Sequence, residues 1–170
     1  MSLGKCLLAG LGGAVALNII HESLKRAGDG MPRVDLLGEE ALQKSLVCVG
    51  ANPIEDESTL YKATLAADVV SNAVYYSLIG LGSKKYVWQR AIGLGIAAGI
   101  GALALPKPMG LNPEPVTKTR KAAGLTVAYY LAGALVTGLM VKLLYKEKVQ
   151  MPEPELDTAF YPEVNNDIYP

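Results

Sequence analysis

The sequence predicts an all-α fold: an integral membrane bundle of four transmembrane helices, with one amphipathic surface helix and an extended C-terminal tail. Three observations predict it. Of 170 residues, 51% are hydrophobic and only 19% charged, below the roughly 25% charged share usual in soluble domains. Several apolar runs approach the roughly 20 residues that a helix needs to cross a hydrocarbon core about 30 Å thick. Within those runs small residues recur four apart, a spacing that lets helix backbones approach closely in lipid.

The composition also excludes function classes. Sixteen basic and 16 acidic residues cancel, which fits neither a disordered chain nor a basic nucleic-acid-binding domain. One histidine and two cysteines cannot supply a four-ligand Cys/His zinc site. Neither a metal nor a cofactor is expected.

The spans are expected at about residues 3–24, 60–81, 86–105 and 120–145. The last contains an uncharged stretch from Ala122 to Val141. Ala91 to Leu105 is uncharged for 15 residues, and it reaches spanning length with Tyr86, Val87, Trp88 and Gln89 at the interface and Arg90 snorkelling outward. Ala63 to Leu81 spans but carries Asp68. The first run, Cys6 to Ile20, is short and glycine-rich. It also imitates a signal peptide, through Lys5 and Ala14-Val15-Ala16, and a dinucleotide-binding turn, through Gly10-Leu11-Gly12-Gly13, which lacks the third glycine at the required spacing.

Helix packing is expected through Gly10 with Ala14, Gly95 with Gly99, Ala97 with Gly101, Gly124 with Ala128, and Ala134 with Gly138. Between the first two spans, Val34, Leu37, Ala41, Leu42, Ser45, Leu46 and Val49 recur at helical spacing, with Asp35, Glu39, Glu40, Gln43 and Lys44 mainly on other faces. This predicts an amphipathic helix over residues 34–49, lying on the membrane or capping the bundle. Glu55, Asp56, Glu57 and Ser58 supply acids and a capping hydroxyl to the second span. Pro106, Pro108, Pro113 and Pro115 predict an extended, stiff connection before the fourth.

Residues 1–150 hold 16 basic and 11 acidic residues, a net +5, whereas residues 151–170 hold five acids and no base. The tail is therefore expected to lie along the body's basic rim, including Lys142, Lys146 and Lys148, or along a basic partner. Eight basic residues flank one side of the four spans and seven the other, so the positive-inside rule leaves orientation open. Cys6 and Cys48 are expected on opposite sides as free thiols.

Ionisable groups inside a membrane usually face a bundle interior or a water-filled cavity. If the spans run up and down, Asn18, His21 and Glu22 of the first, Thr64, Asp68 and Asn72 of the second, and Thr126 with Tyr129 or Tyr130 of the fourth lie in one half of the bilayer. They form a predicted polar cluster open toward the loops after spans one and three. Two carboxylates and one imidazole can relay protons; alternatively, Asp68 and Asn18 simply tie two helices together.

The runs Leu7-Leu8-Ala9-Gly10 to His21-Glu22, Thr64-Leu65-Ala66-Ala67-Asp68 to Asn72-Ala73-Val74-Tyr75-Tyr76, and Thr126-Val127-Ala128-Tyr129-Tyr130-Leu131 resemble a group of small uncharacterised bacterial four-helix membrane proteins. The resemblance spans about residues 5 to 145. It implies a membrane protein of the bacterial inner (plasma) membrane and assigns no activity. The function expected is that of a non-enzymatic accessory or assembly subunit of a larger membrane protein complex. The alternative is a small oligomeric transporter or proton conductor using Asp68, His21 and Glu22. The partners expected are the lipid bilayer and that complex, or further copies of the chain, and not nucleic acid.

Overall fold

A computed structural model describes residues 1–145, so the acidic tail at 151–170, and Lys146 and Lys148 of the basic rim, lie outside the described residues. The described chain is all-helical: α1 (Leu3–Leu24), α2 (Val34–Cys48), α3 (Glu57–Ser77), α4 (Val87–Ala104), α5 (Glu114–Thr117) and α6 (Arg120–Leu144). No strand occurs among the described residues, which removes the strand–turn–helix reading of the first glycines. Three helical stretches, Leu3–Leu24, Lys84–Ala104 and Arg120–Leu144, are long and apolar enough to cross a membrane. α3 has similar length, but Glu57, Lys62 and Asp68 interrupt it and it is not among those three.

The four long helices run alternately up and down. Along the α1–α3 seam Cys6 lies beside Gly80, Gly10 beside Ala73, and Asn18 beside Asp68. Along the α1–α6 seam Gly13 meets Gly133 and Thr137, and further along His21 meets Tyr129. Along the α4–α6 seam Gly99 meets Val127 and Gly95 meets Leu131. α1 and α6 thus form the central pair, with α3 flanking α1 and α4 flanking α6.

Residue size is arranged opposite to a soluble core. Ala9, Gly10, Gly13 and Ala14 are buried on α1, and Ala91, Gly95 and Gly99 on α4. Large aliphatic residues instead point outward one turn apart: Leu11, Val15 and Ile19 on α1, Ile92, Ile96 and Ile100 on α4, and Leu135, Leu139 and Leu143 on α6. In water that exposure would be costly. In lipid it costs nothing, and close contact between small-residue faces supplies the packing.

Of the expected packing glycines, Gly10, Gly95, Gly99 and Gly138 lie at helix crossings. A Cβ added to Gly95 would stand 2.9 Å from Leu131 Cα, and one on Gly99 2.6 Å from Val127 Cα. Gly124 and Gly101 are corrections. Gly124 has nothing within 4 Å, and the only neighbour of Gly101 is Leu105 of its own chain segment; their partners in the four-residue spacing, Ala128 and Ala97, are exposed. Spacing identifies a small-residue face but not which way it turns. The close crossing between Gly13 and Gly133 uses the same spacing, in Ala9 with Gly13 and Gly133 with Thr137, pairs that were not among those expected.

Two connections also differ from expectation. The proline-rich linker is not extended: it turns after Leu105, and Pro113 and Pro115 begin the single helical turn of α5. Proline's fixed φ suits the first turn of a helix, where its missing N–H costs nothing. Asp56, rather than Ser58, caps α3, its carboxylate accepting from Thr59 N at 2.7 Å. Arg90 turns back onto the end of the preceding hairpin, donating to Ile79 O at 2.9 Å and Ser83 O at 3.0 Å.

α2 caps one end of the bundle. Leu37 packs with Leu111 and Val116, while Val34 and Ala41 sit against the same cluster. Lys44 donates to Gly110 O, Asn112 N donates to Glu40 at 2.8 Å, and Arg33 N donates to Pro115 O at 2.9 Å. Both cysteines are free, Cys6 buried near one end of α1 and Cys48 exposed at the end of α2.

Candidate functional site

The polar cluster assembles at the α2 end of the bundle. Asn18, His21, Glu22, Thr64, Asp68, Tyr129 and Tyr130 line one small cavity of about 30 Å³. Asn72 stands one turn from Asp68 and lines the neighbouring groove instead. Thr126 is excluded, because its hydroxyl donates at 2.9 Å to Ala122 O of its own helix.

Asp68 is the deepest carboxylate of the cluster. Asn18 Nδ2 donates to its Oδ2 at 3.0 Å, and Asn72 Nδ2 donates to Oδ1 at 2.9 Å. Asn18 also donates to Ala14 O at 3.0 Å, which fixes its amide on α1. The predicted tie between α1 and α3 is therefore present, and interhelical bonds of this kind contribute about 0.6–2 kcal/mol each in a bilayer. Among the described residues no lysine or arginine lines the cavity.

A second layer, nearer the loops, contains residues that periodicity did not mark as part of the cluster. Periodicity places Asp35 away from the apolar face of α2, yet its side chain is only 7% exposed. It accepts from Arg33 Nε and Nη2, both at 2.9 Å, and from Lys25 Nζ at 3.3 Å. Lys25 Nζ also lies 2.8 Å from Glu22, which accepts a further bond from the Tyr61 hydroxyl. His21 sits beneath this layer, with Nδ1 3.5 Å from Glu22 and Nε2 3.8 Å from Asp35. Its ring meets the Tyr129 ring edge-on at 6.4 Å.

Burial alone would raise the pKa of Asp35, but the hydrogen bonds and charge of Arg33, with the charge of Lys25, outweigh it and hold the carboxyl below its ordinary range. Burial likewise works against the Lys25 ammonium, and Glu22, Tyr61 and Asp35 together raise its pKa above the usual lysine value. The two charges thus stabilise each other. A sequence signal for Asp35 does exist: an acid in the first turn of a helix that follows Pro32, close to two basic residues. Amphipathic periodicity alone assigns it to solvent.

Three buried polar atoms, His21 Nε2, Thr64 Oγ1 and Tyr129 Oη, have no hydrogen-bond partner among the described residues. All three residues line the small cavity. Among the described residues no three carboxylate, imidazole or thiol groups are placed to hold a metal ion.

A larger groove of about 440 Å³ opens beside the cavity between α3 and α4. Ser71, Asn72 and Tyr75 wall it from α3, Ala97 and Gly101 from α4, and Asp68 and Tyr130 are shared with the cavity. No family model, curated protein or solved structure matches the chain.

Proposed function

We propose that this chain is a non-enzymatic accessory or assembly subunit of a larger membrane protein complex, its four long helices spanning a bacterial inner membrane. The observation that carries the reading is the outward face of α4. Gly93 and Ala97 are exposed and Gly101 half-exposed; the three stand four apart, and Gly93 has nothing within 4 Å. This is the small-residue spacing used inside the bundle, left without a partner among the described residues. The groove beside it offers Ser71 and Asn72 for hydrogen bonding across a helix pair.

α3 as a fourth span is supported by its pairing with α1 along its length, from Tyr61–Glu22 at one end to Ala73 and Ser77 against Gly10 at the other. It also carries the same outward ladder, Val70, Val74 and Leu78. The non-enzymatic role is supported by the occupation of the carboxylates, which accept bonds from Asn18, Asn72, Arg33, Lys25 and Tyr61. The resemblance to small bacterial membrane proteins supports the proposed location.

Purification from native membranes in mild detergent is expected to recover a stoichiometric larger partner. Ala97→Leu is expected to lower that recovery about tenfold, since an overpacked helix contact costs about 1–3 kcal/mol. The unfolding midpoint of the isolated chain should not fall, because Ala97 faces outward. A clean homo-oligomer contradicts the reading.

The second reading, a small oligomeric transporter or proton conductor, draws on one observation: the unpaired atoms of His21, Thr64 and Tyr129 face a cavity between Asp35 and Asp68. It expects proton flux into liposomes that Asp68→Asn abolishes. Equal flux in that variant would take Asp68 out of the mechanism.

A further inference from the structure

We infer that the small cavity beside Asp68 binds a monovalent alkali cation of sodium size. The inference rests on neither functional reading, since a counter-ion can serve structure alone. Among the described residues Asp68 is contacted by two neutral amides and by no lysine or arginine. Glu22 and Asp35, which also line the cavity, are matched by Lys25 and Arg33. An ionised carboxylate within a bundle is costly unless an opposite charge accompanies it.

The cavity has the means to hold such a charge. Its volume of about 30 Å³ accommodates one or two water-sized occupants. His21 is 6% exposed, Thr64 6% and Tyr129 4%, and each presents a polar atom that no group among the described residues satisfies. Hydroxyl and carboxylate oxygens are the ligands that hard cations take. Buried polar atoms left unpaired would each cost about 1–3 kcal/mol. A cation that accepts lone pairs from Thr64 and Tyr129, and neutralises Asp68, removes both penalties at once.

The full chain in detergent provides the test, with thermal unfolding followed as NaCl, LiCl or KCl replaces choline chloride at constant ionic strength and pH. A site filled to ten times half-saturation should raise the midpoint by about 3 °C or more. Asp68→Asn should abolish the response. Thr64→Val and Tyr129→Phe, which keep shape and remove or silence one oxygen, should shift half-saturation upward about fivefold or more, and they carry the test if Asp68→Asn does not fold.

The proton arm uses pH. The titratable groups facing the cavity are His21 and Glu22 from α1, Asp35 from α2, Tyr61 from α3, and Tyr129 and Tyr130 from α6, so the readout is the difference between the parent chain and Asp68→Asn. No alkali-ion response, together with stability that falls as pH rises through the carboxylate range in the parent only, means that a proton on the Asp68 carboxyl itself does the neutralising, and overturns the site. Midpoints indifferent to every cation and equal pH profiles in the two proteins would overturn the site, as would an alkali-ion response that Asp68→Asn retains.

Discussion

Gly13→Leu is expected to leave no stably folded bundle. A Cβ at Gly13 would collide with Thr137 Oγ1 and with the backbone carbonyl of Gly133, and across the same crossing a Cβ at Gly133 would stand 2.9 Å from Gly13 O. A side-chain rotation can relieve the first contact but not the backbone one. α1 and α6 must therefore separate, and they are the central pair on which α3 and α4 pack. Leucine is the better helix former by about 1 kcal/mol, whereas overpacking costs about 3 kcal/mol or more when backbone has to move. The clash wins. Gly124→Leu makes the same chemical change at a site with nothing within 4 Å, so only the propensity gain remains and the midpoint should hold or rise. Unfolding in detergent, followed by circular dichroism, checks the pair. Equal midpoints for the two variants would contradict the α1–α6 crossing.

Asp35→Ala is expected to release α2 from the bundle. The substitution removes the acceptor for both Arg33 nitrogens and one partner of Lys25, whose side chain is 7% exposed. Breaking a buried pair from one side costs about 3–5 kcal/mol. Lys25 keeps Glu22 and Arg33 is 38% exposed, so the lower end, about 3 kcal/mol, is expected. Glu40→Ala, which removes more exposed links to Lys44 and to Asn112 N, should cost clearly less than that. Hydrogen exchange over residues 34–48 reads the difference: fast in Asp35→Ala, near parental in Glu40→Ala.

The same contact sets a pH response. Because the folded-state pKa of Asp35 is depressed, its contribution is complete above the unfolded aspartate value of about 4 and is lost as pH falls through the lower folded value. Exchange protection of α2 should thus persist down to about pH 4 and decline below it. In Asp35→Ala that decline should be absent.

The elements legible in the sequence were those with a one-dimensional signature. Uncharged length located α1, α4 and α6, and the apolar run from Ala63 with the acids and capping hydroxyl at 55–58 located α3. Up-and-down connectivity was enough to bring Asn18, His21, Glu22, Thr64, Asp68 and Tyr129 to one depth, because antiparallel neighbours with matched ends place residues by counting. The direction a face turns is a different kind of information. Gly124 with Ala128 and Gly95 with Gly99 have identical spacing, yet only the second pair meets a helix, since the choice depends on which neighbour lies alongside. Asp35 was missed for a related reason. Helical periodicity assigns an acid among apolar residues to the solvent face, and only the approach of Lys25 and Arg33 makes its burial favourable. Pro113 and Pro115 likewise serve an extended segment or a helix start equally well, and the buried contact of Val116 decides for the latter.

The measurement that bears most directly on the proposed function is the mass of the particle that carries this chain in mild detergent, extracted from its own membranes at native abundance. The account predicts a particle substantially heavier than any small multiple of 18.0 kDa, containing a second membrane protein in fixed ratio that dissociates when α4 carries Ala97→Leu. A particle made of this chain alone, unchanged in mass by that substitution, would contradict it.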